Sequence, residues 1–239
     1  MKQRRFAAFD LDGTLIRWQL YHSLADAFLA RGYIDGRQLA RAHAARLSWQ
    51  QRASHISFHD YEQELIKAFD RIVKQLSHEQ FEQAAADVFA EYKDRVYIFT
   101  RDLLRRLQRQ GYVLLAISGS PSEVVTLVAK YYGFTDFLAS TYHRRDSGFN
   151  GAKTVVAWDK AAALKKLVRK HDLSFKGSLA VGDTKSDVAM LELVESPIAF
   201  NPERQLLTLA KRRGWPVVVE RKNVIYSLTP DSDGRYRLA

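Results

Sequence analysis

The stretch Phe9-Asp10-Leu11-Asp12-Gly13-Thr14 constrains this chain more than any other. It closes a short apolar run, Phe6-Ala7-Ala8-Phe9, that stands behind Arg4 and Arg5. Such a run, followed at once by Asp and Gly, reads as a buried strand ending in a tight loop. Side chains alternate along an extended chain, so two carboxylates two residues apart point the same way. Acids that close stay ionised together only with a cation between them; otherwise one of them holds a proton. The loop therefore calls for a divalent metal or for chemistry that uses a split pair of pKa values. Taken alone, an Asp-x-Asp-Gly is more often a turn with two solvated acids, so the rest of the chain has to decide.

A helical tract follows, with no proline before Pro121. The spacing predicts helices over roughly 20–32, 36–54, 58–76 and 78–93. Gly32 and Gly36 bracket the first break, Asp35 is the expected N-cap after it, and Ser77 with Gln80 forms a capping box for the fourth helix. The second helix is rich in Arg (37, 41, 46, 52). The third and fourth carry apolar stripes, Leu65, Phe69, Ile72, Val73 and Leu76, then Phe81, Ala84, Ala85, Val88 and Phe89, that predict the inside of a small bundle.

From about residue 98 helix and strand alternate. A helix over 100–110 leads into a strand at 112–117, and Ser118-Gly119-Ser120-Pro121 turns into a helix at 121–132. The irregular part 134–157 carries turn signals, Asp146-Ser147-Gly148 and Phe149-Asn150-Gly151, for one or two hairpins. A helix over 159–171 precedes a strand at 178–181, then come the loop Gly182-Asp183, a helix to about 194, a strand at 197–200, a basic helix at 203–213 and a strand at 217–219. The tail predicts a hairpin around Asp233-Gly234. Continuous apolar strands separated by helices indicate an α/β fold, a parallel sheet covered on both faces.

Three further pieces fall at the carboxyl ends of these strands, where open α/β sheets bind ligands. Ser118-Gly119 offers a hydroxyl and backbone N–H groups before a helix, a cradle for an anion and equally an ordinary capping turn. Lys160 lies in the first turn of its helix, after the N-cap Asp159, where a cation opposes the helix dipole by ~0.3–1 kcal/mol. Gly182-Asp183-Thr184-Lys185-Ser186-Asp187 follows an apolar strand and opens a helix, and its two acids suit either capping or a site.

Together Asp10-Leu11-Asp12-Gly13-Thr14, Ser118-Gly119, Lys160 and Gly182-Asp183 with Asp187 resemble the motifs of the haloacid dehalogenase superfamily, in its order. The phosphoserine-phosphatase-like branch, subclass IB, is the part they are similar to, as are Ala199-Phe200-Asn201-Pro202 and Gly214-Trp215-Pro216-Val217. The resemblance spans about residues 5–219 and implies a Rossmann-like parallel sheet with helices on both faces, plus a helical-bundle cap of the C1 type. More than a hundred residues separate Asp12 from Ser118, and far fewer separate Ser118 from Lys160, so the extra domain fits only the first gap. Residues 1–16 and 97–239 are then the core and 17–96 the inserted cap.

Residue by residue, the resemblance implies Asp10 as nucleophile and Asp12 as general acid and base. It makes Ser118 and Lys160 catalytic, and Asp12, Gly13, Ser118, Gly119 and Lys160 phosphate-binding. Asp10, Asp12 (through its carbonyl), Asp183 and Asp187 would hold Mg2+ directly or through water. The second aspartate favours a phosphatase or phosphomutase over a dehalogenase. Phosphoserine phosphatases of this branch carry a glutamate seven residues beyond it; here Gln19 stands there, a neutral candidate for substrate contact. Arg17, Trp18, Tyr21 and His22 lie on the same segment, where scaffold roles are the expectation.

The expected activity is a Mg2+-dependent phosphatase acting on a small phosphorylated metabolite. The alternatives are a phosphotransferase or phosphomutase of the same superfamily, or a non-catalytic protein using the scaffold to bind anions or nucleic acid. The net charge of +10 keeps anionic partners in view without choosing among them. With 46% hydrophobic and 27% charged residues the chain has a globular composition, and no run nears the ~18 apolar residues of a membrane helix. No signal peptide is expected, and the lack of cysteine excludes disulfides and thiolate metal sites and makes a cytoplasmic location the default. Oligomeric state and natural substrate stay open.

Overall fold

The computed structural model describes residues 4–52 and 58–238, apart from the side chain of residue 59. Its chain divides into two compact units, residues 1–19, 91–140 and 155–239 in one and residues 20–90 and 141–154 in the other.

The first unit is built on a sheet. β1 (Arg4–Phe9) is followed, after the helical unit, by α5 (Ile98–Arg109), β2 (Val113–Pro121), α6 (Ser122–Tyr132) and β3 (Asp136–Arg145). The chain returns through α7 (Lys160–Lys170), β5 (Leu173–Gly182), α8 (Val188–Leu191), β6 (Ser196–Phe200), α9 (Arg204–Arg213), β7 (Val217–Arg221), β8 (Val224–Pro230) and β9 (Tyr236–Leu238). Strand order is β3-β2-β1-β5-β6-β7-β8-β9, parallel from β3 to β7 and antiparallel beyond. Chain order runs away from β1 in both directions, so right-handed crossovers put α5 and α6 on one face and α7, α8 and α9 on the other. The period of two along β1 shows it: Phe6 and Ala8 join Leu164, Leu167, Met190 and Leu206 in one core, while Phe9 meets Phe134 on the opposite side. β1 is where the order reverses, and the carboxyl ends of β1, β2 and β5 meet there as a topological switch point.

The second unit contains α1 (Leu20–Ala30), a 3-10 turn at Gly36–Leu39, α2 (Ala40–Gln50), α3 (Phe58–Val73), α4 (His78–Tyr92) and β4 (Gly148–Thr154), with the far half of β3. Phe69 and Phe81, both from the predicted stripes, are fully buried with Phe28. The hairpin joins these helices through polar contacts: the Tyr142 hydroxyl donates to Asp70 at 3.0 Å, and Lys153 reaches both oxygens of Asp70 at 2.7 Å. Asp35 caps its turn in a box with Gln38, and Ser77 forms the expected box with Gln80.

Several elements differ from expectation. Ser118–Pro121 remains strand, because Pro121 still pairs with Ser140 after a register break. β5 starts at Leu173, ahead of the predicted strand, and absorbs the extra length in an irregularity where Gly177 takes φ +72°. The helix expected to run to 194 is a 3-10 turn, Lys185–Asp187, and four residues of α8. One hairpin forms between β3 and β4, with Asp146 at φ +50° in its turn. Positions 53 and 54 of the second predicted helix lie outside the described residues. Much of the positive charge finds an ordinary place: Arg106, Arg109, Lys130, Arg169, Lys170, Lys211, Arg212 and Arg213 occupy last turns of helices, where cations complement the dipole. Among the described residues no helix is long and apolar enough to cross a membrane.

His22 is packed rather than exposed, edge-on to Tyr61 at 4.9 Å and beside Phe58 at 5.5 Å. Burial, helped by the charge of Arg46, pushes its pKa down to about 3. The unfolded chain therefore takes up a proton before the folded one does. Its contribution is complete above about pH 6.5 and is lost as pH falls from there toward 3, by about 3 kcal/mol at about pH 4. Urea denaturation at neutral pH and near pH 4 should show a smaller acid loss for His22→Phe than for the parent; equal losses would refute this assignment.

Candidate active site

Each element at the switch point delivers one piece. β1 ends at Phe9, and Asp10 continues its direction, its N–H donating to Val181 of β5 at 3.0 Å. The chain then turns sharply: Leu15 and Ile16 N–H groups both donate to the Leu11 carbonyl, at 2.9 and 2.8 Å. Gly13 makes the turn with φ +79°, and a Cβ there would lie 2.3 Å from an Asp183 oxygen, so only glycine fits on both counts. The Gly13 N–H is committed within the loop, to Ile16 at 3.0 Å and Trp18 at 3.2 Å.

Lys160 is the centre of the charge arrangement. Asp159 caps α7 through the Ala162 N–H at 2.8 Å, which sets the first turn and turns Lys160 inward. Its ammonium lies 2.6 Å from Asp10 Oδ1 and 2.5 Å from Asp187 Oδ1, and it is 3% exposed. Desolvation alone would lower its pKa; Asp10 and Asp187 overcome that and hold it charged. Asp187, fully buried, spends its other oxygen on the N–H groups of Asp183 and Thr184 at 3.1 and 2.9 Å. The acid that looked like a cap thus does cap, and grips Lys160 at the same time. Gly182 permits it: a Cβ there would stand 2.5 Å from Asp187.

Asp10, Asp183 and Asp187 each offer an oxygen within 4.8 Å of the others. Desolvation, opposed by Lys160 but reinforced by Asp187 and Asp12, pushes Asp10 up to about 7. Desolvation, with Asp10 and Asp187 adding to it, raises Asp183 well above the ordinary carboxylate range. One ammonium among three carboxylates leaves the cluster short of positive charge, the condition under which a small hard cation binds. Asp12, almost buried, accepts from the Ser118 hydroxyl at 2.8 Å, and Ser118 accepts from the Ser120 N–H at 3.0 Å. Gly119 lies against Ala157, where an added Cβ would come within 3.1 Å. Thr14 donates to Asp183 Oδ1 at 3.0 Å, a contact the sequence motif contained without revealing. The structure therefore gathers Asp10, Lys160, Asp183 and Asp187 into one cluster and pairs Asp12 with Ser118. Gln19 is half-buried and closes the segment leading into α1.

The family model for haloacid dehalogenase-like hydrolases matches residues 7–192, which hold every one of these groups. The chain belongs to that family. Among the relatives of this hydrolase, the histidinol-phosphatase of Neisseria meningitidis is 26% identical over 229 residues, covering 90% of this chain and 98% of that protein. A phosphoserine phosphatase of Mycobacterium tuberculosis is 30% identical over 127 residues, covering 52% of this chain and 41% of that protein. The chain thus spans less than half the length of the latter. A Bordetella pertussis protein of unknown function has the same fold, with a TM-score of 0.73 at 21% identity over 90% of this chain and 98% of that one. So does a phosphoserine phosphatase solved as a phospho-aspartyl intermediate analogue, with 0.62 at 19% identity over 93% and 96%.

Removing the ammonium leaves buried acids uncompensated. Lys160→Met should lower the unfolding free energy of metal-free protein by about 3 kcal/mol at neutral pH, measured in urea with chelator. Unchanged stability would mean the carboxylates do not depend on Lys160.

Proposed function

We propose that this hydrolase is a Mg2+-dependent phosphomonoesterase acting on a small polar phosphate ester through a phosphoryl group carried by Asp10. The observation that carries the reading is the pairing of Asp10 with Lys160 next to Asp183, at the switch point of the sheet. Carboxylate oxygens short of positive charge fit a hard divalent cation better than any softer metal. Asp10 and Asp183 would hold it, with the Asp12 carbonyl, while Asp187 fixes Lys160 and the loop around Asp183. Bound there, Mg2+ supplies positive charge for the phosphoryl oxygens.

The chain's own residues do the rest. An oxygen of Asp10 attacks phosphorus in line as the bond to the leaving alcohol breaks, and Asp12 gives that alcohol its proton. Asp12 then takes a proton from a water whose oxygen attacks the phosphorus, releasing phosphate and restoring the Asp10 carboxylate. Lys160 opposes protonation of Asp10, which burial favours, and would face the phosphoryl oxygens with the Ser118 hydroxyl and the Gly119 N–H. The Gly13 N–H is engaged inside its loop, as the Ser118 hydroxyl is with Asp12, and both would exchange these partners to join that cradle. The helical unit is read as the cap that selects the substrate, and Gln19 as a neutral contact for a polar group of that substrate. The activities named for the relatives make phosphoserine and histidinol phosphate the first esters to try.

Asp10→Asn should cut turnover of p-nitrophenyl phosphate in Mg2+ by about a thousandfold or more while circular dichroism stays unchanged. Full activity in that folded variant would end the proposal.

A further inference from the structure

The segment that brings the chain back from the helical unit is sewn to the aspartate loop. The Arg17 N–H donates to Arg95 at 2.9 Å, the Tyr97 N–H donates to Leu15 at 3.0 Å, and Ile16 bridges to Val96. α5 then starts under a buried acid of β7. The Glu220 carboxylate accepts the Ile98 and Phe99 N–H groups at 3.0 and 2.8 Å, and its own N–H is taken by the Asn201 side chain at 2.8 Å. A carboxylate on free N–H groups at a helix start is stabilising, so this anchor fixes the first turn of α5.

Thr100 sits in that turn with no exposure at all. Its hydroxyl donates to the Thr14 carbonyl at 2.8 Å; the alternative acceptor inside the helix, the Tyr97 carbonyl, is 3.5 Å away. Helix propensity alone would prefer Ala at this position. The hydroxyl therefore serves the aspartate loop rather than its own helix. Thr14 in turn donates to Asp183. A continuous line runs from Glu220 through the start of α5, Thr100 and Thr14 to one oxygen of the acid cluster.

We propose that Thr100 is a positioning residue for Asp183. By holding the Thr14 carbonyl it sets the direction of the Thr14 hydroxyl, and that hydroxyl keeps the Asp183 carboxylate from rotating out of the cluster. Groups behind a ligand set the ligand's orientation and so its affinity for a metal. Nothing in the Asp-Leu-Asp-Gly-Thr or Gly-Asp stretches points to residue 100, which lies far from both in the chain. The inference rests on reading Asp183 as a Mg2+ ligand.

Isothermal calorimetry of the full chain with MgCl2, in the absence of substrate, tests it. Thr100→Val should bind Mg2+ about tenfold more weakly than the parent, and Thr100→Ser, which keeps the hydroxyl, should stay within about twofold. Thr14→Val should also weaken binding, and the double variant Thr14→Val with Thr100→Val should be no weaker than Thr14→Val alone, because Thr100 acts through Thr14. With p-nitrophenyl phosphate, excess Mg2+ should restore most of the kcat of Thr100→Val. If Thr100→Val does not fold, Thr100→Ala makes the same comparison. Parent-like Mg2+ affinity in a folded Thr100 variant lacking the hydroxyl, or losses that multiply in the double variant, would overturn the inference and leave the metal reading intact. A parent protein that binds no Mg2+ would overturn both.

Discussion

Lys160 carries its ammonium into the protein and lies 2.6 Å from Asp10 and 2.5 Å from Asp187, with all three side chains cut off from water. Desolvating ions is expensive, and attraction repays it only where geometry is good and the remaining oxygens find partners. Here they do: Asp187 spends its second oxygen on two backbone N–H groups, and Thr14 supplies a donor to Asp183. The pieces come from β1, β5 and the start of α7, distant in sequence and adjacent only because the sheet order reverses at β1. The fold is in this sense a device for bringing acids together and limiting the cost with one lysine.

That cost is not fully met by the protein itself. Asp10 rises to about 7, and Asp183 rises as well, because burial and mutual repulsion outweigh a single positive charge. A stable scaffold with no function to perform would be better off with fewer acids here. Holding them short of compensation creates a place where the further positive charge of a hard cation is strongly favoured.

Much of this was legible in the sequence because it was local. Asp10 and Asp12 stand at a strand end whose apolar run announces itself, and Lys160 drew attention by sitting where a helix dipole disfavours it. Its partners, Asp10 and Asp187, explain that anomaly. The α/β alternation and the stripes of α3 and α4 followed from periodicity. What stayed hidden was set by distant partners. Ser118–Pro121 reads as a turn but remains strand because Ser140 pairs with it, and the helix expected after Asp183 is cut to one turn of α8. Glu220 lies just past the predicted strand at 217–219 and is buried under the start of α5; Thr100 looks like any helix threonine until its acceptor is found 86 residues away. Gly182 gave no warning that a side chain there would collide with Asp187.

In the proposed reaction the buried carboxylate beside Lys160 would take the phosphoryl group onto itself. Mixing the Mg2+-supplemented protein with a turned-over phosphate ester, quenching in acid within the first turnovers and mapping peptides by mass spectrometry tests it most directly. The expected result is the added mass of one phosphoryl group on the peptide carrying Asp10, lost on mild alkaline treatment as an acyl phosphate is. A phosphoryl group trapped on Ser118 or on a histidine instead would contradict it.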